Sequence, residues 1–140
     1  MTYLLDTNVV SELRKKSTGS ADRNVVAWET GVPAISVYIS VVTVLELELG
    51  TLQVARRDPI QSAILRSWID NIVLKAFAGR ILSIDVEIAR RTAALHVPDP
   101  RPEHDALIAA SALVHAMTVV TRNTADFIPT GVPTLNPWLA

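Results

Sequence analysis

Short runs of aliphatic and β-branched residues alternate along the chain with longer segments whose apolar positions recur every three or four residues. The short runs Tyr3–Leu5, Ile35–Ile39, Ile81–Ile84 and Thr118–Thr121 read as strands, too brief for a helix and rich in residues that suit a pleated surface. Segments of 10 or more residues separate most of them. In one, Asp58-Pro59 supplies a cap and a first-turn proline ahead of Ile60, Ile64, Leu65, Trp68, Ile72 and Val73, which a helical period gathers on one face. Asp85 stands in the same way before Ile88, Ala89, Thr92 and Leu95. Pro98-Asp99-Pro100-Arg101-Pro102 breaks the pattern, because proline has a fixed φ and no N–H to donate. Glu103–Met117 then predicts an alanine-rich helix. Alternation of this kind predicts an α/β fold, a parallel sheet with helices on both faces. With no internal repeat, low-complexity tract or linker, one domain is expected over residues 1–140.

Composition agrees: the chain is 49% hydrophobic and 19% charged, enough to fill one dense aliphatic core. The longest weakly polar stretch, Ala34–Leu45, spans 12 residues and contains Ser36, Tyr38, Ser40 and Thr43, well short of the roughly 20 apolar residues that cross a bilayer. No membrane association is expected. The first residues, Met1-Thr2-Tyr3-Leu4-Leu5-Asp6, lack a basic leader and a signal-length apolar run, so the cytoplasm is the expected compartment. The absence of cysteine excludes disulfides, thiolate nucleophiles and Cys-type zinc sites, and no HExxH or i,i+4 pairing joins His96, His104 and His115.

In an open parallel sheet, ligands bind beyond the carboxyl ends of the strands. Asp6 directly follows the first strand; Glu46 follows the second; Asp105 opens the alanine-rich helix; Asp126 follows the last strand, in Thr121-Arg122-Asn123-Thr124-Ala125-Asp126. Each has a purely structural alternative. Asp6 suits a helix cap, Thr43 with Glu46 has capping-box spacing, Asp105 suits the positive end of a helix dipole, and Asp126 suits a turn. Four acids on one rim would nonetheless repel one another, and a hard divalent cation with oxygen ligands, Mg²⁺ or Mn²⁺, is the natural compensation. A net charge of −1 does not exclude a phosphate-bearing partner: with those four acids set aside, 10 acids face 13 Lys and Arg. Periodicity leaves open whether Glu46 or Glu48 faces the crevice.

Leu4-Leu5-Asp6-Thr7-Asn8-Val9-Val10-Ser11-Glu12, Thr43-Val44-Leu45-Glu46-Leu47 with Gly50, Phe77-Ala78-Gly79-Arg80-Ile81-Leu82, His104-Asp105-Ala106-Leu107-Ile108-Ala109-Ala110-Ser111-Ala112, Thr118-Val119-Val120-Thr121-Arg122-Asn123 and Asn136-Pro137-Trp138 occur in that order. Together they resemble PIN-domain proteins of the VapC type, and within that group the FitB-like branch. The resemblance implies a three-layer α/β/α sandwich with a parallel sheet of order 3-2-1-4-5. It implies an Mg²⁺-dependent ribonuclease, with Mn²⁺ as a substitute, acting through Asp6, Glu46, Asp105 and Asp126, of which Asp6 and Asp105 bind metal. It also selects Glu46 over Glu48, through the spacing to Gly50. Asn8, Thr121 and Arg122 are expected around substrate or as hydrogen-bonding supports, Arg122 meeting a phosphate or pairing with Asp126. A cognate antitoxin, homodimerisation and promoter binding only through that antitoxin are implied as well. Two rivals remain. A phosphatase of the haloacid-dehalogenase type needs a second acid where Asn8 stands; a catalytically silent PIN module would act only with a DNA-binding partner in transcriptional regulation.

Overall fold

The computed structural model describes residues 1–139. Five strands, β1 (Tyr3–Leu5), β2 (Val37–Ser40), β3 (Ile81–Leu82), β4 (Thr118–Val120) and β5 (Thr134–Leu135), form a sheet in the order β3-β2-β1-β4-β5. All neighbours are parallel, with Tyr3, Leu4 and Leu5 of the central strand opposite Thr118, Val119 and Val120. Helices α1 (Thr7–Leu13) and α2 (Arg23–Gly31) link β1 to β2, and α3 (Val41–Ala55) follows β2. Then α4 (Pro59–Trp68) runs through a π-helical turn, Ile69–Val73, into the short α5 (Leu74–Ala76). Helices α6 (Val86–Leu95) and α7 (Glu103–Val114) lie between β3 and β4, and α8 (Thr124–Phe127) between β4 and β5.

Side chains alternate across the pleat and so divide the core in two. Leu5, Val37, Ile39 and Val120 face one layer, where Val9 and Val10 of α1, Val25 of α2, and Ile69 and Val73 are buried. Leu4 and Val119 face the other, with Ile108, Ala109 and Ala112 of α7 and Phe127 of α8. Helix α3 serves both, sending Leu47 to the first cluster and Val42 to the second. The result is the three-layer α/β/α sandwich of order 3-2-1-4-5, as expected.

The expected caps are present: Asp58 Oδ1 accepts from Gln61 N at 3.0 Å, and Asp85 Oδ1 from Ile88 N at 2.9 Å. Several boundaries differ from the pattern. Ile35 is 79% exposed and belongs to a 3-10 turn, closed when the Ser36 N–H and hydroxyl both donate to Pro33 O, so β2 begins at Val37. The alanine-rich helix stops at Val114 instead of Met117, because Ala116 takes a positive φ of 55° and the Met117 N–H turns back to Ala112 O. No helix among the described residues is long and apolar enough to cross a membrane.

Candidate active site

Asp6 leaves the carboxyl end of the central strand and caps α1, its Oδ1 accepting from Thr7 N at 2.9 Å. Its Oδ2 accepts from Thr121 Oγ1 at 2.8 Å and from Asn8 Nδ2 at 3.3 Å. The capping expectation for Asp6 is therefore met, by the oxygen that faces Thr7 N. Thr121 is fully buried directly after β4, which brings together groups 115 residues apart. Asn8 joins the same knot, donating also to Thr121 Oγ1 at 3.3 Å, while its Oδ1 accepts from Arg122 N at 3.3 Å.

Glu46 is positioned differently. The capping-box alternative fails, since the cap of α3 is Ser40, whose hydroxyl accepts from Val42 N; Glu46 lies further along the helix. Its Oε1 accepts from Thr7 Oγ1 at 2.8 Å, the same hydroxyl lying 3.0 Å from that of fully buried Thr43. On the other side, Glu46 Oε2 lies 3.6 Å from His104 Nδ1. Glu48 turns away, pairing with Arg66 of α4 at 2.6 Å. In the sequence, Thr7 has no role of its own, Thr43 only a capping one, and His104 none at the site. Their contacts with Glu46 and with each other span elements remote in the chain, and a histidine at a helix start reads as solvated.

Asp105, in the first turn of α7, and exposed Asp126, in α8, complete the rim. Electrostatics connects all four acids. Burial raises the Asp6 pKa most, the charges of Glu46 and Asp126 add to this, and the bonds from Thr121 and Thr7 oppose it. Asp105 is pushed up to about 6 by burial and then by the charges of Asp6, Asp126 and Glu46, against a small opposing effect of His104. No Lys or Arg forms an ion pair with any of the four among the described residues. No three His, Asp or Glu side chains of the described residues converge closely enough to hold a metal ion between them. The donors still fit Mg²⁺ or Mn²⁺: all are oxygen, they carry excess negative charge, and Mg²⁺ typically takes one or two carboxylates and keeps several waters. Arg122 forms no ion pair with Asp126; its guanidinium lies over the Trp138 ring, 5.1 Å from the centroid.

The family profile described as PIN domain matches the chain over residues 3–128. The chain belongs to the PIN domain family. PIN relatives extend over nearly its whole length. VapC ribonuclease Y4jK of Sinorhizobium fredii is 34% identical over 140 residues, covering 96% of each chain. Toxin FitB of Neisseria gonorrhoeae is 36% identical over 141 residues, covering 96% of this chain and 97% of its own. The solved structure of FitAB bound to an IR36 DNA fragment contains a chain with TM-score 0.88 and 33% identity, covering 99% of this PIN domain and 97% of that chain.

Proposed function

We propose that this chain is the toxin of a toxin–antitoxin pair and that it hydrolyses RNA phosphodiester bonds through Asp6, Glu46, Asp105 and Asp126 with Mg²⁺, or Mn²⁺ in its place. The observation that carries the reading is the gathering of these acids at the carboxyl rim of the sheet, near enough for Glu46 and Asp126 to act on both Asp6 and Asp105, with no Lys or Arg ion-paired to them among the described residues. The relatives named VapC ribonuclease and toxin FitB support it. Such a cation, when bound, supplies Lewis acidity toward a phosphate oxygen and lowers the pKa of water.

The residues divide the remaining work. Asp6 and Asp105 hold the cation. Glu46, fixed by Thr7, orients the attacking water, and Asp126 completes the site once RNA is present. Thr121 and Asn8 keep the Asp6 carboxylate in one orientation, the supporting role that sets ligand geometry in metal sites. Arg122 meets an RNA phosphate. The partner is an antitoxin that presents a basic side chain to the acids, consistent with a structural relative solved as FitAB on DNA. Promoter DNA is bound only through that partner, the toxin forms a homodimer, and the pair acts in the cytoplasm.

The same DNA-bound relative favours a second reading, a PIN module whose role is transcriptional regulation with its partner and not cleavage. The test is cleavage of a fluorogenic RNA panel by purified, antitoxin-free protein with Mg²⁺ or Mn²⁺ against EDTA. Metal-dependent cutting that disappears in both Asp6→Asn and Asp105→Asn establishes the nuclease. A folded, metal-bound protein that cuts nothing leaves the regulatory reading.

A further inference from the structure

Arg122 is held at the edge of the acidic rim from two directions. Its backbone lies on a relay of asparagine amides: its N–H donates to Asn8 Oδ1 at 3.3 Å, and its carbonyl accepts from Asn136 Nδ2 at 3.4 Å. Asn136 Oδ1 in turn accepts from Trp138 N at 3.0 Å, and Trp138 O accepts from Asn24 Nδ2 at 2.8 Å. The side chain is held by Trp138 itself, whose ring sits partly buried against the first core cluster with the guanidinium carbon 5.1 Å from its centroid. Through Asn8 the relay ends on Asp6 Oδ2, at 3.3 Å. The position of Arg122 is thus mechanically tied to that of the first acid.

A second arginine over an aromatic ring shows what is unusual here. Arg80 lies 5.3 Å from the centroid of Phe77, but its N–H groups are spent on the backbone carbonyls of Ala34, Val37 and Ala76. That stack is structural. Arg122 is exposed, and its guanidinium makes neither a hydrogen bond nor an ion pair among the described residues. A guanidinium attracted to a ring through its positive charge, with none of its N–H groups spent on a protein acceptor, keeps the donor fork that fits a phosphate.

We propose that Trp138 is a positioning residue for RNA: its ring holds the Arg122 guanidinium beside the acidic rim, donors outward, to take a backbone phosphate. The proposal rests on the ribonuclease reading and adds to it a role for the Asn136-Pro137-Trp138 segment, remote in sequence from the four acids. Trp138 acts on substrate only through Arg122, so the two should not contribute independently.

A double-mutant cycle on the full chain tests this, with KM and kcat measured on a single-stranded RNA and Tm recorded for each variant. Arg122→Gln is expected to raise KM by about tenfold or more, the size of a charge-assisted hydrogen bond, and to lower the slope of log affinity against log salt by about 0.7, one phosphate contact on a single strand. Trp138→Leu is expected to raise KM about two- to fivefold with kcat little changed. In the Arg122→Gln background it should add nothing. Trp138→Phe, which keeps a π face, should fall between wild type and Trp138→Leu, and it replaces Trp138→Leu in the cycle if that variant does not fold. Equal effects of the Trp138 substitution in both backgrounds, or no effect on KM in a folded variant, overturn the proposal. Failure of the wild type to bind or cut RNA with metal overturns the ribonuclease reading and this inference with it, and is visible before any variant is made.

Discussion

The two halves of the acidic rim are built by different physics. Around β1, every acidic oxygen of Asp6 has a donor, and Glu46 is tethered by Thr7. Around α7 and α8, neither Asp105 nor Asp126 accepts a side-chain hydrogen bond among the described residues, and what acts on Asp105 is burial and the charge of its neighbours. One half is thus fixed by folding, at the cost of desolvating Asp6. The other is left under electrostatic tension that a cation would relieve. Under the proposed function, the first half would anchor the cation rigidly and the second would adjust to substrate.

The largest effect should separate the halves directly. Asp6→Asn should remove detectable metal-dependent RNA cleavage, whereas Asp126→Asn should lower kcat by about 10- to 100-fold, the loss typical of a group that supports a metal site. Equal losses in the two variants, measured at saturating RNA, would erase the distinction. Next comes Thr121→Val, which keeps the shape of a fully buried side chain and removes the 2.8 Å bond to Asp6. It should destabilise the metal-free protein by about 1.5–3 kcal/mol in urea unfolding at pH 8, since the lost bond is to a charged acceptor.

The asymmetry was only partly legible in the sequence. Four strands and the caps Asp58 and Asp85 follow from periodicity and capping chemistry, because those signals are local. β5 does not: Thr134–Leu135 has two residues, too few for any period, and was expected only through the family resemblance. The Thr43–Glu46 spacing suggested a capping box, but Ser40 starts the helix three residues earlier and leaves Glu46 free to face the crevice. The positions of the acids after the strands are readable, while the Thr7 hydroxyl and the His104 imidazole that contact Glu46 are not. Thr7 is 39 residues from Glu46, and only the pairing of β1 with β2 brings α1 and α3 together.

A smaller effect concerns pH. The Asp105 pKa is raised from the ordinary 3.8 to about 6, so between those values the folded, metal-free protein holds a proton that the unfolded chain releases. The resulting stability is present at low pH and lost as pH rises through about 6; Asp6 shifts in the same direction. The Tm of EDTA-treated protein should therefore fall between pH 5 and pH 7, and fall less in Asp105→Asn. A Tm that rises over this interval, with no lesser change in the variant, would remove the electrostatic tension from the account. Smallest of all is Glu48→Gln, which breaks a half-exposed pair with Arg66 two positions from Glu46. It should leave the cleavage rate and Tm close to wild type, while Glu46→Gln should not.

The most direct measurement is the thermal stability of metal-free protein titrated with Mn²⁺ at pH 7.5, for wild type, Asp6→Asn and Asp105→Asn. A saturable rise in Tm for wild type that is strongly reduced in both variants is the predicted result, because binding to the folded state alone stabilises it by mass action. The same rise in all three proteins, or none in wild type, would contradict the assignment of this acidic rim as a cation site.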